Sequence, residues 1–130
     1  MFVEEFTTFL RNTLTVPPEL PIQFILLNAT QKNGIMVMTP INGFNKSGFN
    51  GEIFFGRIQI IIRNINIKTG GEIAMQIYDV LNDESNSYNI KLDNYRIKRL
   101  YCPELPVGYP RNDADLYEYS LLTEVVFIRE

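Results

Sequence analysis

The stretch 116–129, LYEYSLLTEVVFIR, puts the tightest limit on what this chain can fold into. Tyr117, Tyr119, Leu121, Val125 and Phe127 fall on one side of an extended backbone, and Glu118, Ser120, Leu122, Glu124 and Val126 on the other. Extended, the run reaches about 46 Å at ~3.3 Å per residue, whereas a domain of this length is only about 36 Å across. The strand must therefore bend, break at a bulge, or project beyond its own domain. A projecting strand could pair with another chain.

A second strand is written just as clearly. In GRIQIIIRN, Ile58, Ile60 and Ile62 share one face, and Arg57, Gln59, Ile61 and Arg63 share the other. The first face belongs to a core, and the second is amphipathic. A helix follows, with Thr69 expected at its N-cap and Glu72 three residues on as a capping box. Ile73, Ala74, Ile77, Tyr78, Val80 and Leu81 form its apolar stripe. Gly70 and Gly71 lie in its first turn, but neither the glycine–lysine order of a P-loop nor the spaced glycines of a dinucleotide fold are present. Close approach of another chain segment is the better reason for two glycines there.

The remaining elements follow from period and turn chemistry. Phe2, Val3, Phe6, Phe9, Leu10 and Leu14 recur at helical spacing, and the PPELP segment that follows ends the helix. IQFILLNA and IMVMT read as a strand pair turning at Asn33-Gly34. SYNIKLDNYRIKRLY reads as a hairpin turning at Asp93-Asn94, with Leu92 facing Tyr95 and Ile90 facing Ile97. Its other face carries Lys91, Arg96 and Lys98, with Lys91 opposite Arg96, a mildly unfavourable like-charge pair that nearby carboxylates or an acidic partner could relieve, the ordinary reading being a solvated face. Residues 40–53 form a long loop with two phenylalanines, Phe44 and Phe49, which either fold back onto the domain or pack on a neighbouring subunit. The expected fold is one α+β domain over residues 1–130, a mostly antiparallel sheet with two helices packed on one face.

Composition removes several functions. The chain has no histidine, which excludes histidine general bases, Ser/His/Asp and Cys/His nucleophile systems and the ordinary zinc sites. No catalytic, cofactor-binding or metal-binding residue is expected, and no cofactor. A carboxylate enzyme built on Asp113, Asp115 and Glu118 is the weaker alternative. A net charge of −3 gives no general footprint for nucleic acid or for an anionic membrane. A nucleic-acid-binding sheet would also need aromatics among Lys91, Arg96 and Lys98, and it has none. No apolar run is long enough to span a bilayer. The acidic N-terminal stretch is unlike a signal peptide, and the single cysteine, Cys102, fits a reducing compartment.

Taken in order, FVEEFTTFLRNTL with its strand pair, RIQIIIRN running into EIAMQIYDVLN, and the ending YRIKRLYCPELPVGYPRNDADLYEYSLLTEVVF resemble the tail terminator family of tailed bacteriophages. Such proteins are also described as tail-completion or minor capsid proteins. The sequence departs from the family at Asp113-Ala114-Asp115, where relatives carry a glycine-containing turn. The resemblance implies a structural protein of the virion tail or neck, or of a phage-tail-like bacteriocin, made in the bacterial host cytoplasm. It would form a homo-hexameric ring that caps the head-proximal end of the tail tube and stops its polymerisation. Its partners would be itself, the tail tube protein, the head-tail connector or neck protein, and the tail sheath protein if the tail contracts. DNA would pass through the lumen without specific binding. A different neck or head-completion protein, or a minor capsid protein, is the alternative within the same particle. For subunit contacts the candidates are Phe44, Phe49, Arg57, Gln59, Arg63, Leu122 and Val126, with local salt bridging the other reading of Arg57, Gln59 and Arg63; for an acidic partner surface they are Lys91, Arg96 and Lys98.

Overall fold

In the computed structural model the elements run α1 (Phe2–Thr13), β1 (Ile22–Gln23), β2 (Gly34–Met38), β3 (Asn45–Lys46), β4 (Ile53–Asn64), α2 (Ile67–Leu81), a short 3-10 turn (Glu84–Asn86), β5 (Tyr88–Lys91), β6 (Tyr95–Tyr101), β7 (Val107–Pro110) and β8 (Tyr117–Arg129). The structure describes residues 1–14, 22–23, 33–40, 43–47, 52–110 and 117–130. The strands form one sheet in the order β1-β2-β4-β8-β6-β5, with β3 on β4 and β7 on β8. Every pairing is antiparallel except that of β1 with β2.

The long last strand neither projects nor breaks. It lies in the middle of the sheet, because β4 is nearly as long and pairs with it from Ile53↔Ile128 to Asn64↔Tyr117. On its other edge β7 pairs with its first residues and β6 with its last. Strand addition by another chain is thus closed off along most of β8, so of the three outcomes open to so long a run, projection beyond the domain is not the one taken. The bulge falls instead on β6, between Ile97 and Arg99.

Alternation along these strands gives the sheet two unlike faces. Ile58, Ile60, Ile62, Leu121, Val125 and Phe127 point to the face that carries both helices, and all are buried. From α1, Phe2, Val3, Phe6 and Leu10 enter this core; from α2, Ile73, Ala74, Ile77 and Leu81 do. The helical and strand periods therefore meet in one apolar layer, as the sequence predicts. Phe127 is its aromatic centre. Phe2 stacks on it with ring centroids 3.7 Å apart, and Phe44 and Tyr95 meet it edge-on at 5.0 and 5.6 Å.

Two local expectations need correction. Ile22–Gln23 and Gly34–Met38 do not pair as arms of a hairpin, since β1 and β2 run parallel with Ile22↔Ile35; the rest of the first predicted strand, 24–29, lies outside the described residues. Asn33-Gly34 makes no tight turn there: Asn33 Oδ1 accepts the Ile65 N–H, and Gly34 already lies in the ladder opposite Arg63. Helix α2 starts earlier than the capping-box pattern predicts, with Asn66 as N-cap accepting the Thr69 N–H at 3.1 Å. Asparagine is as good a cap as threonine, and Thr69 is left inside the first turn.

The two glycines of α2 do serve close approach. A Cβ on Gly70 would lie 3.1 Å from the Tyr119 ring, one on Gly71 3.1 Å from its hydroxyl, and one on Gly108 of β7 2.6 Å from the ring. Three glycines thus surround one tyrosine, whose hydroxyl donates to the Ile67 carbonyl at 2.9 Å. The far end of α2 is pinned too: the Asn82 side chain accepts from the Cys102 N–H and donates to the Cys102 carbonyl.

Candidate functional site

The sheet face turned away from the helices is where the candidate residues gather. Register places Phe55 opposite Val126, Arg57 opposite Glu124, Gln59 opposite Leu122, Ile61 opposite Ser120 and Arg63 opposite Glu118. Neither helix lies on this face, so its side chains meet one another, solvent, or whatever else approaches.

What they meet first is a set of cross-strand polar pairs. Arg57 reaches Glu124 at 2.7 Å, Gln59 donates to the Ser120 hydroxyl at 2.9 Å, and Arg63 reaches Glu118 at 2.9 Å. The predicted conflict of Lys91 with Arg96 is real, because the two are direct register partners. The protein relieves it internally: Glu130 takes Lys91 on one oxygen at 2.8 Å and Arg96 on the other at 3.3 Å. These two bases hold the Glu130 carboxyl below its usual range. Glu124 is gripped from both sides, by Arg57 and by the Tyr101 hydroxyl. The Tyr101 bond, with Arg57 beside it, depresses the Glu124 carboxyl, and the same bond raises the Tyr101 phenol.

The face divides into two zones. Around Arg63 it is covered: the Arg63 side chain is 6% exposed and that of Glu118 10%, and Ile61 and Met36 are buried with them. Around Arg57 it is open, with the Arg57 side chain 56% exposed and Phe55 also in solvent. This open zone forms a groove of about 750 Å³. Met38, Phe55, Leu122 and Val126 supply its apolar lining, Pro40 and Gly43 line it on the β2–β3 side, and Arg99 and Tyr101 on the β6 side.

The candidates from sequence are thus partly gathered and partly dispersed. Arg57, Gln59, Leu122 and Val126 line the groove together. Arg63 lies on the same face but is locked in a buried ion pair, which removes it as an exposed subunit contact. Phe44 is taken up by Phe2 and Phe127 of its own domain, so it folds back rather than reaching out. Phe49, Asp113 and Asp115 lie outside the described residues. The basic stripe is rearranged by the β6 bulge, which shifts the register between Ile97 and Arg99 and sets Arg99, not Lys98, opposite Val126. Arg99 and Tyr101 were not among the sequence candidates, since an uninterrupted alternation puts odd positions of β6 on the core side. No local signal marks the bulge. Glu118 and Glu124 could have been paired with Arg63 and Arg57 only once the β4–β8 register was known.

Among the described residues, no group of three or more cysteine, aspartate or glutamate side chains is placed to hold a metal ion, and no helix is long and apolar enough to cross a membrane. Cys102 is buried, with its thiol pushed up to about 11 by burial and its sulfur 3.4 Å from the Thr123 hydroxyl.

No protein-family model and no curated protein matches the sequence. Among solved structures, a chain from the virion of a native gene transfer agent (GTA) particle has a similar fold, with a TM-score of 0.62 over 86% of this chain and 80% of that one. The two share 12% of their residues, so the likeness is one of fold.

Proposed function

We propose that this chain is a structural component of a phage-like virion, and within it a tail terminator. It assembles into a six-membered ring on the head-proximal end of the tail tube, halts tube growth, and offers the joining surface for the connector. The observation that carries this reading is the shared fold with a chain of a GTA virion across most of both chains. The sequence resemblance to tail terminators supports it independently. A net charge of −3 suits a conduit through which DNA slides, because few phosphate contacts would hold it. The partners are other copies of the chain, the tube and connector proteins, and the sheath where the tail contracts.

The role is architectural and not catalytic. Glu118, the described member of the acidic trio near the last turn, is committed to Arg63 in a buried pair. A polar group held in that way serves the fold. The same fold would suit another neck or head-completion protein, and gene position relative to the tube and sheath genes separates the two.

The deciding experiment is negative-stain imaging of the purified protein, alone and mixed with tail tubes. Six-fold rings with a central hole, or caps on tube ends, are expected. A protein that stays monomeric in both preparations would end the ring mechanism.

A further inference from the structure

We infer that the groove on the helix-free sheet face receives the outer surface of helix α2 from a second copy of the chain, in a head-to-tail contact. This names the two surfaces of the ring contact and so rests on the ring reading.

The first ground is charge. On the helix-free face, Glu118, Glu124 and Glu130 are each already engaged with a base. Arg99, beside the groove, makes no salt bridge among the described residues, though its charge acts on Glu124, which Arg57 already holds; its guanidinium lies 4.6 Å from the centre of the Tyr101 ring. Lys98 next to it is likewise exposed and without a salt bridge among the described residues. The face is left with surplus positive charge. On the opposite side of the molecule, the exposed side of α2 and the turn after it carries Glu72, Asp79, Asp83 and Glu84 against one lysine, Lys68. Neither Glu72 nor Asp79 has an ion pair among the described residues. One copy thus presents a basic face and an acidic face on opposite sides of a single sheet. Two copies can satisfy both only by stacking in the same sense, which is a heterologous contact.

The second ground is shape and apolar content. Lys68, Glu72, Met75 and Asp79 follow one another at helical spacing along the exposed side of α2. Met75 in the middle of that stripe is 41% exposed. The groove has its own exposed apolar residue in Phe55, above Leu122 and Val126. Its two walls, on β2–β3 and on β6, stand about three strand spacings apart across β4 and β8, roughly 14 Å. A helix with its side chains is about 10–12 Å across. The flexible Met75 thioether fits an irregular apolar floor, with Glu72 and Asp79 brought towards Arg57 and Arg99.

Two variants and their mixture test the contact. Glu72→Lys/Asp79→Lys spoils only the helix surface, and Phe55→Glu/Arg99→Glu spoils only the groove. By analytical ultracentrifugation each variant alone should associate at least about tenfold more weakly than the wild type, as like charges now face each other. Mixed, the two retain one intact groove and one intact helix surface between them. They should associate again on mixing, because the unaltered surfaces still match and the altered ones, lysines against glutamates, are again of opposite charge, which also demonstrates that both variants are folded. If the wild type assembles and the variants assemble equally well, the surface assignment is wrong while the ring reading stands. Variants that lose assembly and do not pair on mixing would overturn the head-to-tail geometry. A wild type that never associates, alone or on tubes, sinks both.

Discussion

The two faces of β4 are built from alternate residues of one strand, yet they follow different physics. On the helix side Ile58, Ile60 and Ile62 are fully buried, and they are held by area removed from water. On the other side Arg57 and Arg63 are held by partners directly across the ladder on β8, and Gln59 by the diagonal neighbour Ser120. The first face is almost wholly apolar, Thr123 opposite Ile58 being buried with its hydroxyl against the Cys102 sulfur, and it needs no particular register beyond parity. The second is fixed by register residue by residue, since a slip of one position would break every pair. The apolar face thus supplies most of the stability, and the polar face keeps a patch of the sheet both specified and accessible.

The largest expected effect comes from breaking the helix side at its aromatic centre. Phe127→Ala removes the ring on which Phe2 stacks and against which Phe44 and Tyr95 set their edges. A loss of about 3–5 kcal/mol is expected from the cavity and the lost transfer energy. Urea titration followed by far-UV circular dichroism measures it. A loss under about 1 kcal/mol would mean that α1 is not anchored where the structure puts it.

Next comes the one place where the polar face behaves like an interior. Glu118→Gln removes the negative charge that faces the buried Arg63 guanidinium and should cost about 3 kcal/mol, whereas Arg57→Ala at the open end should cost under about 1 kcal/mol. Replacing the buried pair together, Arg63→Met with Glu118→Leu, should recover most of the loss, because neither charge then remains to be desolvated. Equal costs for Glu118→Gln and Arg57→Ala would erase the distinction between the covered and open zones.

How much of this contrast could be read from the sequence is itself instructive. The isoleucines of β4, the apolar stripes of both helices and the 92–95 and 90–97 pairs of the hairpin were legible, because a period and a turn specify them locally. The antiparallel α+β character followed from the same signals. What failed was set at long range. The parallel β1–β2 pairing, the central place of β8 and the burial of Arg63 each depend on which strand lies next to which. The β6 bulge, which brings Arg99 to the groove, carries no glycine or proline to announce it. The groove was half visible, as Arg57, Gln59, Leu122 and Val126, and hidden where Tyr101 and Arg99 complete it.

A smaller effect tests where the two faces are tied to α2. Gly108→Ala would place a Cβ 2.6 Å from the Tyr119 ring, against a side chain that Gly70 and Gly71 already confine. The ring cannot give way without loosening its bond to the Ile67 carbonyl. A cost of about 1–3 kcal/mol is expected for such overpacking. Shortening the ring in the background of that substitution, as Tyr119→Leu, should make the added methyl nearly neutral in a double-mutant cycle. Strictly additive effects would mean that the three glycines do not act through Tyr119.

The smallest effect is the share of the pH dependence that comes from the open groove. Glu124 titrates below its ordinary value of 4.5, chiefly because Tyr101 donates to it and also because Arg57 faces it. A carboxyl depressed in the folded state binds fewer protons there than in the unfolded chain, so stability rises with pH across that window. The stabilisation is complete above the ordinary carboxylate range and is lost as pH falls through the depressed value. Tyr101→Phe removes the donor and should return Glu124 towards its ordinary titration, visible in the carboxyl carbon shifts by NMR. The melting temperatures of wild type and Tyr101→Phe should therefore differ at pH 7 and converge in acid, once Glu124 is protonated in both. On the helix side, Ile60→Val replaces one apolar group by another, and its effect should be the same at both pH values. If the Tyr101→Phe difference persists unchanged in acid, the tyrosine acts by packing alone, and the groove floor is apolar in its energetics as well as its composition.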